Sequence, residues 1–92
     1  MVTAIVLMKI ERNLVNTVSA ELTDIAGVSE VYSVAGKYDL AVIVRVEDND
    51  RLASIVTDKM LKIEGIIDSE TLISFRVYSK HDLENMFSLS DK

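Results

Sequence analysis

The sequence repeats itself at a distance of 38 positions. Ile5-Val6 falls on Ile43-Val44, and Leu14, Val18, Leu22, Ile25 and Gly27 fall on Leu52, Val56, Met60, Ile63 and Gly65. Each copy starts with an almost wholly apolar, β-branched run, the pattern of a strand buried on both faces. A stripe at i, i+4, i+8 and i+11 follows, which marks a one-sided helix. The glycine after the stripe is the residue that most readily ends a helix. A second β-prone run completes each copy, Val28 to Ala35 in the first and about Ile67 to Tyr78 in the second. Two β-α-β units in tandem make βαββαβ, the split-βαβ or ferredoxin-like arrangement of the α+β class. Right-handed crossovers place strand one (Thr3–Ile10) and strand three (Leu40–Val46) in the centre of a four-stranded antiparallel sheet, with both helices on one face.

Local signals refine the boundaries. Asn13 is placed to cap the first helix. The acidic run Glu47-Asp48-Asn49-Asp50 suits the positive end of the second helix. Its consecutive carboxylates lack the alternating ligand pattern of a calcium loop, so the run reads as capping and not as a metal site. A chain of 92 residues makes one domain. Residues 1–78 form the domain body, and 79–92 form a polar tail in which Leu83, Met86 and Phe87 stand at i, i+3, i+4. That spacing predicts a short helix docked on the body or on a neighbouring subunit.

Two helices on one face leave the other face of the sheet bare. Alternation assigns Ala4, Val6, Met8, Leu40, Val42 and Val44 to the covered face, and Ile5, Leu7, Ala41 and Ile43 to the uncovered one, interspersed with Thr3, Lys9 and Arg45. At roughly 25 cal/mol per Å², several aliphatic side chains left in water forfeit several kcal/mol. That is comparable with the whole stability of a small domain. The natural cover is the same face of a second copy, so Ile5, Leu7, Ala41 and Ile43 are the expected interface of a homodimeric α/β sandwich or barrel. Arg76 joins the charges at that seam if it shares the face.

Composition narrows the function. There is no Cys and one His, His81, in the polar tail; disulfides, thiolate catalysis and His-rich metal sites are excluded within one chain. The net charge of −5 argues against nucleic acid, and the ten Lys and Arg are scattered. No apolar run approaches the ~20 residues of a membrane span, and the chain starts on a strand without a signal-peptide pattern, so a cytoplasmic protein is expected. The three glycines form no phosphate loop, and no nucleophile stands with a base, so neither catalytic residues nor a cofactor are expected. Small polar groups at strand ends remain: Tyr38 and Asp39 after Gly36 and Lys37, and Ser69 and Thr71 at the start of strand four. Gly36 permits the positive φ of a tight turn. Asp39, at the mouth of an apolar strand, either caps its own turn with backbone N–H bonds or meets a ligand.

Gly36-Lys37-Tyr38-Asp39-Leu40, preceded by Val34-Ala35 and followed by a Val/Ile strand, resembles the Gly-x-Tyr-Asp turn of the effector-binding domain of the Lrp/AsnC transcriptional regulators, the RAM domain. Gly65-Ile66-Ile67-Asp68-Ser69-Glu70-Thr71 resembles that family's Gly-Val-x-x-Thr-x-Thr segment, with Ser69 in place of the first Thr. Ala35 stands where a Thr usually precedes the turn glycine. The resemblance spans about residues 2–78 and implies a dimer assembled into a ring of four or five dimers, an octamer or decamer. It also implies a small amino acid bound at a subunit junction by Gly36, Lys37, Tyr38, Asp39, Ser69 and Thr71. The full regulators carry an N-terminal helix-turn-helix domain. This chain begins at strand one and resembles a stand-alone RAM domain that does not itself bind DNA, with full-length regulators as candidate partners.

Three functions are therefore weighed. The first is a non-enzymatic amino-acid-binding and oligomerisation module in the regulation of amino-acid metabolism. The second is a small dimeric α/β-barrel enzyme of the monooxygenase type, which shares the topology but needs a pocket lined by His, Trp, Asn or several aromatics. The third is a structural partner that co-assembles with full-length regulators through the bare sheet face.

Overall fold

The computed structural model describes residues 1–80. The elements in chain order are β1 (Val2–Ile10), a 3₁₀ turn (Arg12–Leu14), α1 (Val15–Thr23), β2 (Val28–Ser33), β3 (Leu40–Val46), α2 (Asn49–Ser54) running into a π-helical stretch (Ile55–Met60), and β4 (Ile66–Ser74). The sheet order is β2-β3-β1-β4 and every pairing is antiparallel. This is the ferredoxin-like α+β arrangement that the repeat predicts, with the two most apolar strands in the centre.

One face of the sheet and the two helices make the core. Ala4, Val6, Met8 and Ile10 of β1 and Leu40, Val42, Val44 and Val46 of β3 are buried against Val18 and Leu22 of α1 and Leu52, Ile55 and Met60 of the second helical segment. No polar or charged residue is buried among the described residues, so the core owes its cohesion to apolar packing alone. The two repeats interlock at their glycines: the Gly27 carbonyl accepts the N–H of Arg45 at 2.8 Å and the Gly65 carbonyl accepts the N–H of Glu11 at 2.9 Å. Neither glycine ends its helix as expected, since the helices stop at Thr23 and Met60, but each is bonded to the central strand of the other repeat, or to the residue just past it.

Four local expectations are corrected. Asn13 does not cap α1; it lies inside the 3₁₀ turn, which the Leu14 N–H closes on the Glu11 carbonyl at 2.9 Å. Strand two stops at Ser33 and not at Ala35, because its partner strand begins at Leu40, opposite Ser33. The Gly36 reversal is accordingly a wider connection, residues 34–39. Strand four stops at Ser74 and not at Tyr78, because Ser74 pairs with Thr3 and β1 offers almost nothing further. Arg76 lies beyond the last paired residue, so no sheet face is defined for it.

The second helix departs from the regular stripe. Asp48 caps it as predicted, its side chain accepting the Arg51 N–H at 2.8 Å. From Ile55 the helix widens: the Leu61 N–H reaches the Val56 carbonyl, five residues back, at 3.0 Å. In a regular α-helix, residues five apart point about 140° from one another. The wider turn brings Met60 back to the side of Ile55, and both are buried.

Among the described residues no helix is long and apolar enough to cross a membrane. The tail predicted for 79–92, with Leu83, Met86, Phe87 and His81, lies outside the described residues apart from its first two positions.

Candidate functional site

The uncovered sheet face follows from the register, since residues directly opposite in an antiparallel pair share a face. Ile5 stands opposite Ile43 on β3 and Leu72 on β4; Leu7 stands opposite Ala41 and Glu70. Tyr32 of β2 lies opposite Ala41. Together Ile5, Leu7, Ala41, Ile43, Leu72 and Tyr32 form a continuous apolar surface across all four strands, and no helix among the described residues covers it. Leu72 keeps 44% and Tyr32 49% of its surface exposed. Charges ring this surface. Glu30 meets Arg45 at 3.6 Å and accepts the Tyr32 hydroxyl. Tyr32 titrates above the usual phenol value, chiefly because its hydroxyl is bonded to that carboxylate and also because the negative charge opposes ionisation.

The Gly36–Asp39 connection sits at one end of the same face. Gly36 has φ +135°, and a Cβ there would meet no atom within 4 Å, so the tip of the connection is open. Asp39 is tied to the ends of the central strands. Its N–H donates to the Met8 carbonyl at 2.8 Å, its carbonyl accepts the Val34 N–H at 3.0 Å, and its Oδ2 accepts the Ile10 N–H at 2.8 Å. The carboxylate thereby extends the β1–β3 ladder by one bond beyond its last backbone pair. Tyr38 reaches over β1 to β4, where its hydroxyl donates to Glu70 Oε2 at 2.7 Å. That bond, then burial, then the negative charges of Glu70 and Asp68 hold the Tyr38 phenol above its usual range, so it is a neutral donor near neutral pH. Lys37 Nζ lies 5.9 Å from the centre of the Tyr38 ring.

Of the six residues proposed to hold a ligand, Gly36, Lys37, Tyr38 and Asp39 therefore form one group. Ser69 and Thr71 stand apart from it. Opposite Met8 and Val6 in the register, they share the sheet face covered by the helices. The Ser69 N–H is bonded to the Asp68 side chain at 2.9 Å. Thr71 lines a groove of about 240 Å³ with Ile73 and with Leu52, Ala53, Val56 and Thr57 of the second helical segment. The residue that meets the turn is Glu70, between them. Residue types alone do not reveal it; the strand alternation does, once the register with Leu7 is known.

Other concavities lie away from the turn. One of about 520 Å³ is lined by Gly27, Arg45, Glu47, Asp48, Asp50 and Arg51, and one of about 460 Å³ lies beside Ile25, Ile55 and Asp58. Among the described residues no group of three or more His, Cys, Asp or Glu is placed to hold a metal ion.

The chain belongs to the family defined by the Lrp/AsnC ligand binding domain, whose model matches residues 3–83. It is similar to a protein of Thermus thermophilus, TTHA0845, whose crystal structure it matches with 40% identity and a TM-score of 0.82, over 87% of this chain and 100% of that one. It is 38% identical over 58 residues to an uncharacterised HTH-type transcriptional regulator of Pyrococcus horikoshii, and that match covers 63% of this chain but only 39% of the regulator. A transcriptional regulator of Neisseria meningitidis, solved as a complex with L-Met, shares the fold at a TM-score of 0.77 with 15% identity, over 85% of this chain and 52% of that one.

Proposed function

We propose that this chain is a non-enzymatic, cytoplasmic effector module that joins amino-acid binding to subunit assembly in the regulation of amino-acid metabolism. Two copies close over the uncovered sheet face through Ile5, Leu7, Ala41, Ile43 and Leu72, and dimers associate further into a ring. A small amino acid occupies the junction beside Gly36, Lys37, Tyr38 and Asp39, with Ser69 and Thr71 as further candidates for its polar contacts. Full-length regulators of the family are partners through the same seam. A ligand held between subunits stabilises the assembly by its own binding energy, and the assembly in turn raises affinity for the ligand.

The observation that carries this proposal is the apolar strip of the four-stranded sheet, which the helices among the described residues leave open. The test is sedimentation velocity at micromolar concentration, with and without each of the twenty amino acids, alongside a thermal-shift screen. L-methionine is the first probe, because the Neisseria fold neighbour was solved with it. A dimer or larger species, with one amino acid raising the melting temperature, supports the proposal. A folded monomer indifferent to every amino acid sinks it.

A further inference from the structure

We infer that Glu70, at the Tyr38 hydroxyl, and Lys37, over the Tyr38 ring, recognise the two charged ends of a free α-amino acid, while Asp39 holds the scaffold. This rests on the reading of the Gly36–Asp39 connection as the effector site.

Asp39 is tied into the strand ends through three of its four polar atoms. Its N–H, its carbonyl and its Oδ2 all bond to backbone groups of β1 or of the β2 end. Turning Oδ2 towards a ligand would strip the part-buried Ile10 N–H of its acceptor.

Glu70 has no such structural duty. It comes from β4 on the uncovered face, it is exposed, and among the described residues its carboxylate accepts one hydrogen bond, from the Tyr38 phenol at 2.7 Å. A phenol is a neutral donor. An ammonium group is a charged one and makes the stronger bond to a carboxylate. An arriving ammonium therefore displaces or joins the phenol at Glu70. Asp68, on the same face and opposite Lys9, adds to the local negative potential.

Over the face of the same ring, Lys37 holds its cation 5.9 Å from the ring centre, beside the open tip at Gly36. A carboxylate finds there the ammonium of Lys37. An acceptor at the hydroxyl end of one aromatic ring and a cation over its face match a zwitterion, and neither an amine nor a carboxylic acid alone satisfies both.

The experiment is calorimetric titration of the full chain and of the variants Glu70→Gln, Lys37→Met and Asp39→Asn, each confirmed folded by circular dichroism. L-methionine is the first titrant, then the other nineteen amino acids. The amino acid that binds is then compared with its des-amino and its decarboxylated analogue. Glu70→Gln should weaken the amino acid about tenfold to a hundredfold, the worth of one charge-assisted bond. It should leave the des-amino analogue unchanged, so that the gap between the two ligands closes. Lys37→Met should close the gap to the decarboxylated analogue in the same way. Asp39→Asn should weaken the amino acid no more than it weakens the des-amino analogue, since Asn keeps an acceptor for the Ile10 N–H and the ammonium is read elsewhere. Loss of binding in Asp39→Asn with Glu70→Gln unaffected would overturn the assignment to Glu70 while leaving an effector site in place. Binding of none of the twenty amino acids by the wild type would overturn the effector site itself.

Discussion

The Oδ2 of Asp39 accepts the backbone N–H of Ile10 at 2.8 Å, joining two residues 29 positions apart. A side chain here serves as one more rung in the β1–β3 ladder, and it fixes the turn to the end of the strand that carries the core residues Val6 and Met8. Asp39→Ala leaves that donor unpaired and should cost about 1–3 kcal/mol, whereas Asp39→Asn should cost much less. Denaturant midpoints at one fixed protomer concentration decide it. Equal midpoints for Ala and wild type would show that the bond carries no weight.

Gly65 and Gly36 both have positive φ, at +105° and +135°, but only Gly65 is crowded: a Cβ there would lie 2.9 Å from Leu14 Cδ1, 3.1 Å from Val18 Cγ2 and 3.3 Å from Leu14 Cβ. Gly36→Ala introduces backbone strain alone, about 1–2 kcal/mol. Gly65→Ala introduces similar strain and also disturbs α1, adding about 1–3 kcal/mol for overpacking. Thermal unfolding of the two variants should rank Gly65→Ala well below Gly36→Ala.

Ile43 points away from the helices, so a charge there does not enter the core of its own subunit. We predict that Ile43→Glu separates or unfolds the proposed dimer, because a buried unpaired carboxylate costs several kcal/mol. Sedimentation equilibrium reads the outcome. A variant that keeps the wild-type oligomer would place the seam elsewhere.

Alkaline pH should weaken the fold in a way that two tyrosines account for. Tyr38 and Tyr32 both have folded pKa values raised above the ordinary 10.0, by their bonds to Glu70 and Glu30. For a raised pKa, the stabilisation is fully present below the unfolded value and is lost as pH rises through the folded one. Wild-type stability should therefore be flat near neutrality and fall from about pH 10 upward. Tyr32→Phe with Tyr38→Phe should be less stable at neutral pH and show a shallower alkaline decline. Urea titrations across that interval provide the check.

The chain carries a net charge of −5, and its cations are dispersed. Duplex DNA should not bind with micromolar affinity at physiological salt. A salt-sensitive gel shift of the protein alone would refute this.

Much of the fold is legible in the sequence because burial is periodic. The apolar run delimits Leu40–Val46 correctly, the spacing of the stripes locates the two helices, and the place of Asp48 before a helix marks its cap. What escapes depends on partners distant in sequence. Asn13 has the chemistry of a cap, but the chain enters α1 through a 3₁₀ turn instead. The stripe puts Leu52 and Met60 inward correctly but gives Val56 the core position that Ile55 takes, because the π-helical stretch brings Met60 round beside Ile55. Residue chemistry favours the hydroxyls of Ser69 and Thr71 over Glu70, because a strand's face is set by register, here the pairing of Glu70 with Leu7.

In the order β2-β3-β1-β4, neither repeat pairs its own two strands: β1 lies between β3 and β4, and β2 is bonded only to β3. Cutting the chain between residues 35 and 38 would thus yield two fragments with no strand ladder inside either. A chain ending after β3 has β2 and β1 on the two flanks of β3, yet still lacks the second helical segment, which supplies Leu52, Ile55 and Met60 to the core. Unfolding should accordingly be a single all-or-none event, with no half-molecule surviving as an intermediate.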